Sequence, residues 1–203
     1  MTELFVDCQS GLSGDMLLSA LLDLGVPREV VDNPLNSVGL GKAYELKIEE
    51  SSSYGMRGLK VFVKALEKNP PLRRFNDIRS FVESAEWSEC LRLNVLDVFR
   101  ALAEAEASVH GHSFEEVHFH EIGSIDSIVD VVGVCAAVEH LEPKFISCTN
   151  PPAGVGTVET SHGVLPVPVP AVLELARRHQ ILLNGEDKMP SGEVTTPTGL
   201  ALM

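Results

Sequence analysis

The chain has 203 residues, enough for one good core or two small ones at about 100 to 200 residues per domain. Apolar residues at 44% and charged residues at 22% argue against the disordered, collagen-like and membrane classes. The formal charge of −13, from 16 basic against 29 acidic side chains, repels nucleic acid and anionic lipid and draws cations to the surface, so neither nucleic acid nor membrane is an expected partner.

No apolar run approaches the roughly 20 residues that span a bilayer, and the start MTELFVDC lacks the regions of a signal peptide, which makes a soluble, cytoplasmic protein the expectation. Leu4 to Val6 read as a short strand, and GLSGD then leads into the apolar helix MLLSALLDLGVP, closed by Gly25 with Pro27 beyond. Tyr44 to Ile48 and Leu59 to Leu66 alternate as strands, and the breakers SSSYGMRG between them predict a hairpin with a long connection. After KNPPLRR, helical spacing covers Asn76 to Ser84 and Glu89 to Val109, with Gly111 as the C-terminal cap of the second. FEEVHF reads as a short extended piece. SIDSIVDVVGVCAAVEHL predicts a helix with Ser124 at its N-cap and Asp126 in its first turn. Phe145 to Cys148 predict another strand, NPPAGVGTVETSHGVLPVPVP a long Pro- and Gly-rich extended passage, and Pro170 the start of the helix AVLELARRH. TTPTG has the look of a cap, and GLALM begins an apolar helix of one turn, which buries little alone, so the chain is expected to be one part of a longer product. Mixed elements without a steady βαβ rhythm indicate an α+β fold, taken as one domain over residues 1–203.

Chemistry concentrates in HGHSFEEVHFHEIGSIDSIVD, residues 110–130, which holds His110, His112, His118 and His120. In an extended segment residues two apart share a face, so His118 and His120 present both imidazoles in one direction, with Glu121 beside them to complete or orient a shell for a first-row metal. Asp126 and Asp130, at i and i+4, put two carboxylates on one helix face. Helix-dipole logic accounts for His110 and Asp126 without any ligand, and His110 and His112 read as structural on that ground. In DCQSGLSGD, Gly11 and Gly14 permit close backbone approach and Asp15 opens a helix, either as a plain turn or as a phosphate nest; alternatively, Asp7 and Asp15 supply oxygen ligands to a hard cation. The loop has no lysine in a Walker position. The Thr- and Gly-rich segments around His162 and at Thr196 and Thr198 expose hydroxyl and backbone donors, although a cap with a proline brace explains them equally well. Cys8, Cys90, Cys135 and Cys148 are scattered, with no CxxC pair, and read as reduced, mostly buried thiols.

Four blocks, DCQSGLSGDMLLSALLDLGVP, AEAEASVHGHSFEEVHFHEIGSIDSIVDVVG, GVGTVETSHGVLPVPVPA and GEVTTPTG, together resemble the LarC-type nickel insertion proteins and cover most of the chain. The resemblance implies a nickel insertase, a metal chelatase of the lyase class, that places nickel in pyridinium-3,5-bisthiocarboxylic acid mononucleotide to make the nickel-pincer cofactor of lactate racemase and related enzymes. It implies, too, that CTP with manganese or magnesium is bound by a C-terminal domain absent from these 203 residues, and that this N-terminal, metal-handling part works with that domain; a homo-oligomer stays open as a further partner. On the residues alone, a non-catalytic nickel-binding or delivery module and a metal-dependent hydrolase stay open as alternatives.

Overall fold

A computed structural model describes residues 2–66, 73–114, 117, 119, 123–185 and 191–203. In chain order the elements are β1 (Glu3–Val6), α1 (Gly14–Asp23), α2 (Arg28–Ser37), β2 (Tyr44–Ser53), β3 (Met56–Ala65), α3 (Phe75–Ser84), α4 (Glu89–His110), α5 (Ile125–Leu141), β4 (Phe145–Cys148), β5 (Thr157–Thr160), β6 (Gly163–Pro166), α6 (Pro170–His179) and α7 (Pro197–Leu202). This is the α+β mixture expected, with strands in pairs: β1 runs parallel to β4, while β2–β3 and β5–β6 are antiparallel hairpins.

Helix α5 is the centre. Its run from Ile125 to Ala137 includes ten buried residues, so it is apolar nearly all round, as a helix must be when neighbours cover every side. Helices α1, α2 and α4 pack on it. The approach of α1 and α2 depends on Gly133, where a Cβ would stand 3.0 Å from Val31 Cγ1 and 3.1 Å from Leu18 Cδ1. Fully buried Leu18, Val31, Ile128 and Val132 each contribute about 1.5–3 kcal/mol through the apolar surface they remove from water.

Three local expectations change. The β2–β3 connection is not long: Tyr54 (φ 51°) and Gly55 (φ 80°) form a two-residue turn, and the flanking Ser51–Ser53 and Met56–Gly58 belong to the strands. Those residues look like breakers because the far end of the hairpin is in solvent on both faces, so no alternation marks it. Helix α2 was not expected, since Pro34 lies inside it; Trp87 Nε1 donates to Pro34 O at 3.1 Å and to Ser37 Oγ at 2.9 Å and holds that irregular turn in place. The long extended passage contains the β5–β6 hairpin, turned by Ser161 and His162, with Gly163 at φ 93°. Among the described residues no helix is long and apolar enough to cross a membrane.

Candidate functional site

The N-termini of α1, α5, α6 and α7 open onto one cavity of about 850 Å³. What brings them together is a backbone strap. Leu12 N donates to Val194 O at 2.7 Å, Thr196 N donates to Leu12 O at 2.9 Å, and the buried Thr195 hydroxyl donates to Pro152 O at 2.6 Å. Gly199 is needed here because a Cβ would collide with the Leu12 carbonyl, and Thr196 caps α7 by accepting from Gly199 N at 3.1 Å. On the opposite wall Val61 N donates to Ser19 Oγ at 3.0 Å, and that hydroxyl donates to Asp15 O at 2.6 Å, which ties β3 to α1.

The end that holds the enclosed Asp130, taken as its inner end, is acidic, although Asp15 and Asp126 beside it are themselves exposed. Asp15 and Asp126 sit in the first turns of α1 and α5, and Asp130 lies one turn further into α5, all three lining the cavity. Gly14 presses on Asp130: a Cβ there would be 2.6 Å from Asp130 Oδ2. Asp130 Oδ1 is enclosed and has no hydrogen-bond partner among the described residues. Burial, reinforced by the negative charges of Asp15 and Asp126, pushes the Asp130 carboxyl up to about 8, so at neutral pH it keeps its proton. The rim carries Glu106 and His110 from the last turns of α4, His162 from the β5–β6 turn, and Glu193. Glu106 Oε2 lies 3.2 Å from His110 Nε2, and the His110 and His162 ring centroids are 4.8 Å apart. Val61, Phe62, Val63 and Leu165 form an apolar side. Five carboxylates line the cavity, and no lysine or arginine does among the described residues. A site of that composition attracts cations and repels anions.

The expected site residues divide accordingly. The structure brings Gly14, Asp15, Asp126, Thr196 and Thr198 together around the cavity. Asp7 and Gly11 do not line it. The Asp7 carboxylate turns back to accept from Gln9 N at 3.2 Å, and Gly11 (φ 142°) packs on the strap, where a Cβ would be 2.7 Å from Val194 O. His118, His120 and Glu121 lie outside the described residues. Val117 and Phe119 are buried at 3% and 2% exposure, and Phe119 N donates to Arg73 O at 3.2 Å. His110, read as structural, lines the cavity beside His162, a proximity hidden until the β5–β6 hairpin is known. Asp130 was placed on the face of Asp126 by spacing alone, but nothing in the sequence marks it as the enclosed acid. Among the described residues no three His, Cys, Asp or Glu side chains gather closely enough to hold an ion by themselves. The thiols are poor ligands: Cys8 and Cys135 are buried, with burial pushing them up to about 11 and about 12, while Cys90 and Cys148 are exposed, so two of the four depart from the expected burial.

A family model described as "Nickel insertion protein" matches residues 4–203. The chain belongs to the nickel insertion protein family. It is 40% identical, over all of its length and 53% of the other chain, to a protein of Clostridium kluyveri named pyridinium-3,5-bisthiocarboxylic acid mononucleotide nickel insertion protein. A protein of the same name from Akkermansia muciniphila is 38% identical over 99% of this chain and 50% of its own length. A Geobacter metallireducens protein, also named for nickel insertion, is 43% identical over 100% of this chain and 51% of its own. The chain therefore spans about half the length of the curated relatives it matches. No solved structure matches it.

Proposed function

We propose that this chain receives nickel as cargo and presents it to pyridinium-3,5-bisthiocarboxylic acid mononucleotide, the step that makes the nickel-pincer cofactor of lactate racemase-type enzymes. The observation that carries this reading is the enclosed Asp130 oxygen, which has no hydrogen-bond partner among the described residues, at the acidic end of a cavity that no described lysine or arginine lines. An isolated buried carboxyl is costly unless it stays protonated or meets a cation, so an arriving divalent ion displaces the Asp130 proton and takes its place, with Asp15 and Asp126 strengthening the local field. Carboxylate and imidazole hold nickel less firmly than sulfur does, so passage to two sulfur donors of the precursor runs downhill. His118, His120 and Glu121 supply further ligands in this reading, and Asp7 remains a candidate only through rearrangement of its loop. The precursor's pyridinium ring suits a cavity that pairs carboxylates with the apolar wall of Phe62 and Leu165. Its phosphate, repelled from the inner end, is received at the start of α6, whose first turn carries no acid, near Thr196 and Thr198. Gly11 and Gly14 then serve packing of the strap and of Asp130 more than phosphate binding.

CTP with manganese or magnesium belongs, on this reading, to the half of the relatives that this chain does not span, and insertase (chelatase, lyase) turnover in the cytoplasm needs that half as a partner. A second reading, a delivery module without catalysis of its own, is favoured by the lack of a three-ligand cluster among the described residues. Nickel titration of the chain with and without the thiocarboxylated mononucleotide separates the two. Insertion predicts at least a tenfold tightening by the mononucleotide, whereas identical isotherms would leave only delivery. CTP-dependent cofactor formation by residues 1–203 alone would overturn the division of labour.

A further inference from the structure

We infer that His110 and His162 form a two-imidazole landing site for a first-row divalent ion at the rim of the cavity, with Glu106 orienting His110. The two rings come from unrelated elements, the last turn of α4 and the β5–β6 turn, yet their centroids stand 4.8 Å apart with planes at 48°. That spacing is informative. With nitrogens about 2.0–2.1 Å from a bound ion, the centroids of two imidazoles on one ion lie about 4.5 Å apart at a right-angle geometry and about 5.2 Å at a tetrahedral one. The observed separation falls between.

Both rings are held. Gly111 (φ 66°) ends α4 immediately after His110, and the Thr160 hydroxyl accepts from His162 N at 3.1 Å while donating to Gly163 O at 3.0 Å, which fixes the turn that carries His162. Glu106 Oε2 lies 3.2 Å from His110 Nε2, a contact that favours turning that nitrogen to the carboxylate and leaving Nδ1 for the ion, as carboxylates commonly orient metal-binding histidines. The helix dipole gives a reason for a histidine at the end of α4 but none for one in a hairpin turn facing it. Two nitrogens grip an ion without enclosing it. An ion held by two imidazoles has coordination positions left for further donors, those of an acceptor molecule among them, as a transfer site requires. The choice of nickel as the ion rests on the function proposed above; the site itself rests on the ring geometry.

The test titrates Ni²⁺ into residues 1–203 at about pH 7.5, for the natural chain and for His110→Asn, His162→Gln, the double variant and Asp130→Asn, with X-ray absorption of the bound nickel to count imidazoles. Each single histidine variant should lose at least tenfold in affinity, and the double variant little more than either single one, because one imidazole alone no longer chelates. Imidazole scattering should fall in step. Unchanged affinity and scattering in both single variants would overturn the site. His162 is exposed and the His110 side chain half-buried, so folding should survive in the His162 variant; should His110→Asn melt early for want of its helix-end role, His162→Gln decides alone. Loss in Asp130→Asn with the histidine variants unaffected would remove this site and leave the carboxylate reading standing, while the reverse pattern would keep the imidazole pair and remove the carboxylates.

Discussion

At the inner end of the cavity Asp130 is walled in by Gly14 and faces two other acids, whereas at the rim the half-buried His110 side chain and exposed His162 come from a helix end and a hairpin turn. The inner acid is a burden on the fold that a cation relieves, so its chemistry is coupled to stability and to pH. The rim imidazoles weigh less on folding, His162 least, so substitution there should register mainly in binding. That contrast separates residues that are part of the scaffold's energy balance from residues that only contact the cargo.

Asp130→Asn should show the largest effect, a loss of nickel affinity of roughly 100-fold, measured by calorimetry. The same variant should be more stable than the natural chain. Because folding raises the Asp130 carboxyl from 3.8 to about 8, its favourable contribution is fully present below about pH 4 and is lost as pH rises through about 8. The stability advantage of the asparagine variant should therefore grow across that window and exceed about 1 kcal/mol at pH 8, or about 2–4 °C in melting temperature for a domain of this size. Parallel melting curves at pH 5 and pH 8 would show that Asp130 carries no such burden.

Replacing His118 and His120 together by alanine should weaken nickel binding by more than about tenfold, while replacing the exposed His140 and His179 together should change it by less than about twofold. Equal losses in the two pairs would remove the HFHE assignment. For the natural chain, nickel affinity should fall as pH drops from about 8 to about 5, first as Asp130 retains its proton and then as imidazoles with a reference pKa of about 6.5 become charged. A flat profile would mean that neither end of the cavity holds the ion. Gly14→Ala, which forces a Cβ to 2.6 Å from Asp130 Oδ2, should cost about 1–3 kcal/mol in chemical denaturation, and an unchanged denaturation midpoint would show that Gly14 does not wall in this acid.

The elements most readable from the amino acids were those with a strong period and a clear stop: α4, closed by Gly111, α5 with Ser124 at its start, and α6 beginning at Pro170. Each boundary is set by local backbone chemistry. Helix α2 was hidden by Pro34, whose irregular turn is stabilised by Trp87, a contact 53 positions away that no local rule reports. The β2–β3 hairpin was legible but its turn was placed too long where the strands leave the core, since solvent on both faces erases alternation there; the β5–β6 hairpin was hidden in the Pro- and Gly-rich passage. For the site, i,i+4 spacing placed Asp126 and Asp130 on one face, and the cavity has both. The enclosure of Asp130 by Gly14 and the meeting of His110 with His162 depend on long-range packing through the strap between Leu12 and Thr195, so spacing could not disclose them. Resemblance of the four blocks points to what geometry alone leaves open, nickel as the proposed cargo.

Proton release on nickel binding tests the central claim most directly. Titrating Ni²⁺ at about pH 7 in two buffers of different ionisation enthalpy counts the protons expelled, and the natural chain should release close to one more proton than Asp130→Asn, because the enclosed carboxyl must ionise to meet the ion. Equal release by the two proteins, with nickel still bound by both, would show that the ion never reaches Asp130, and the cavity's inner end would lose its assigned role.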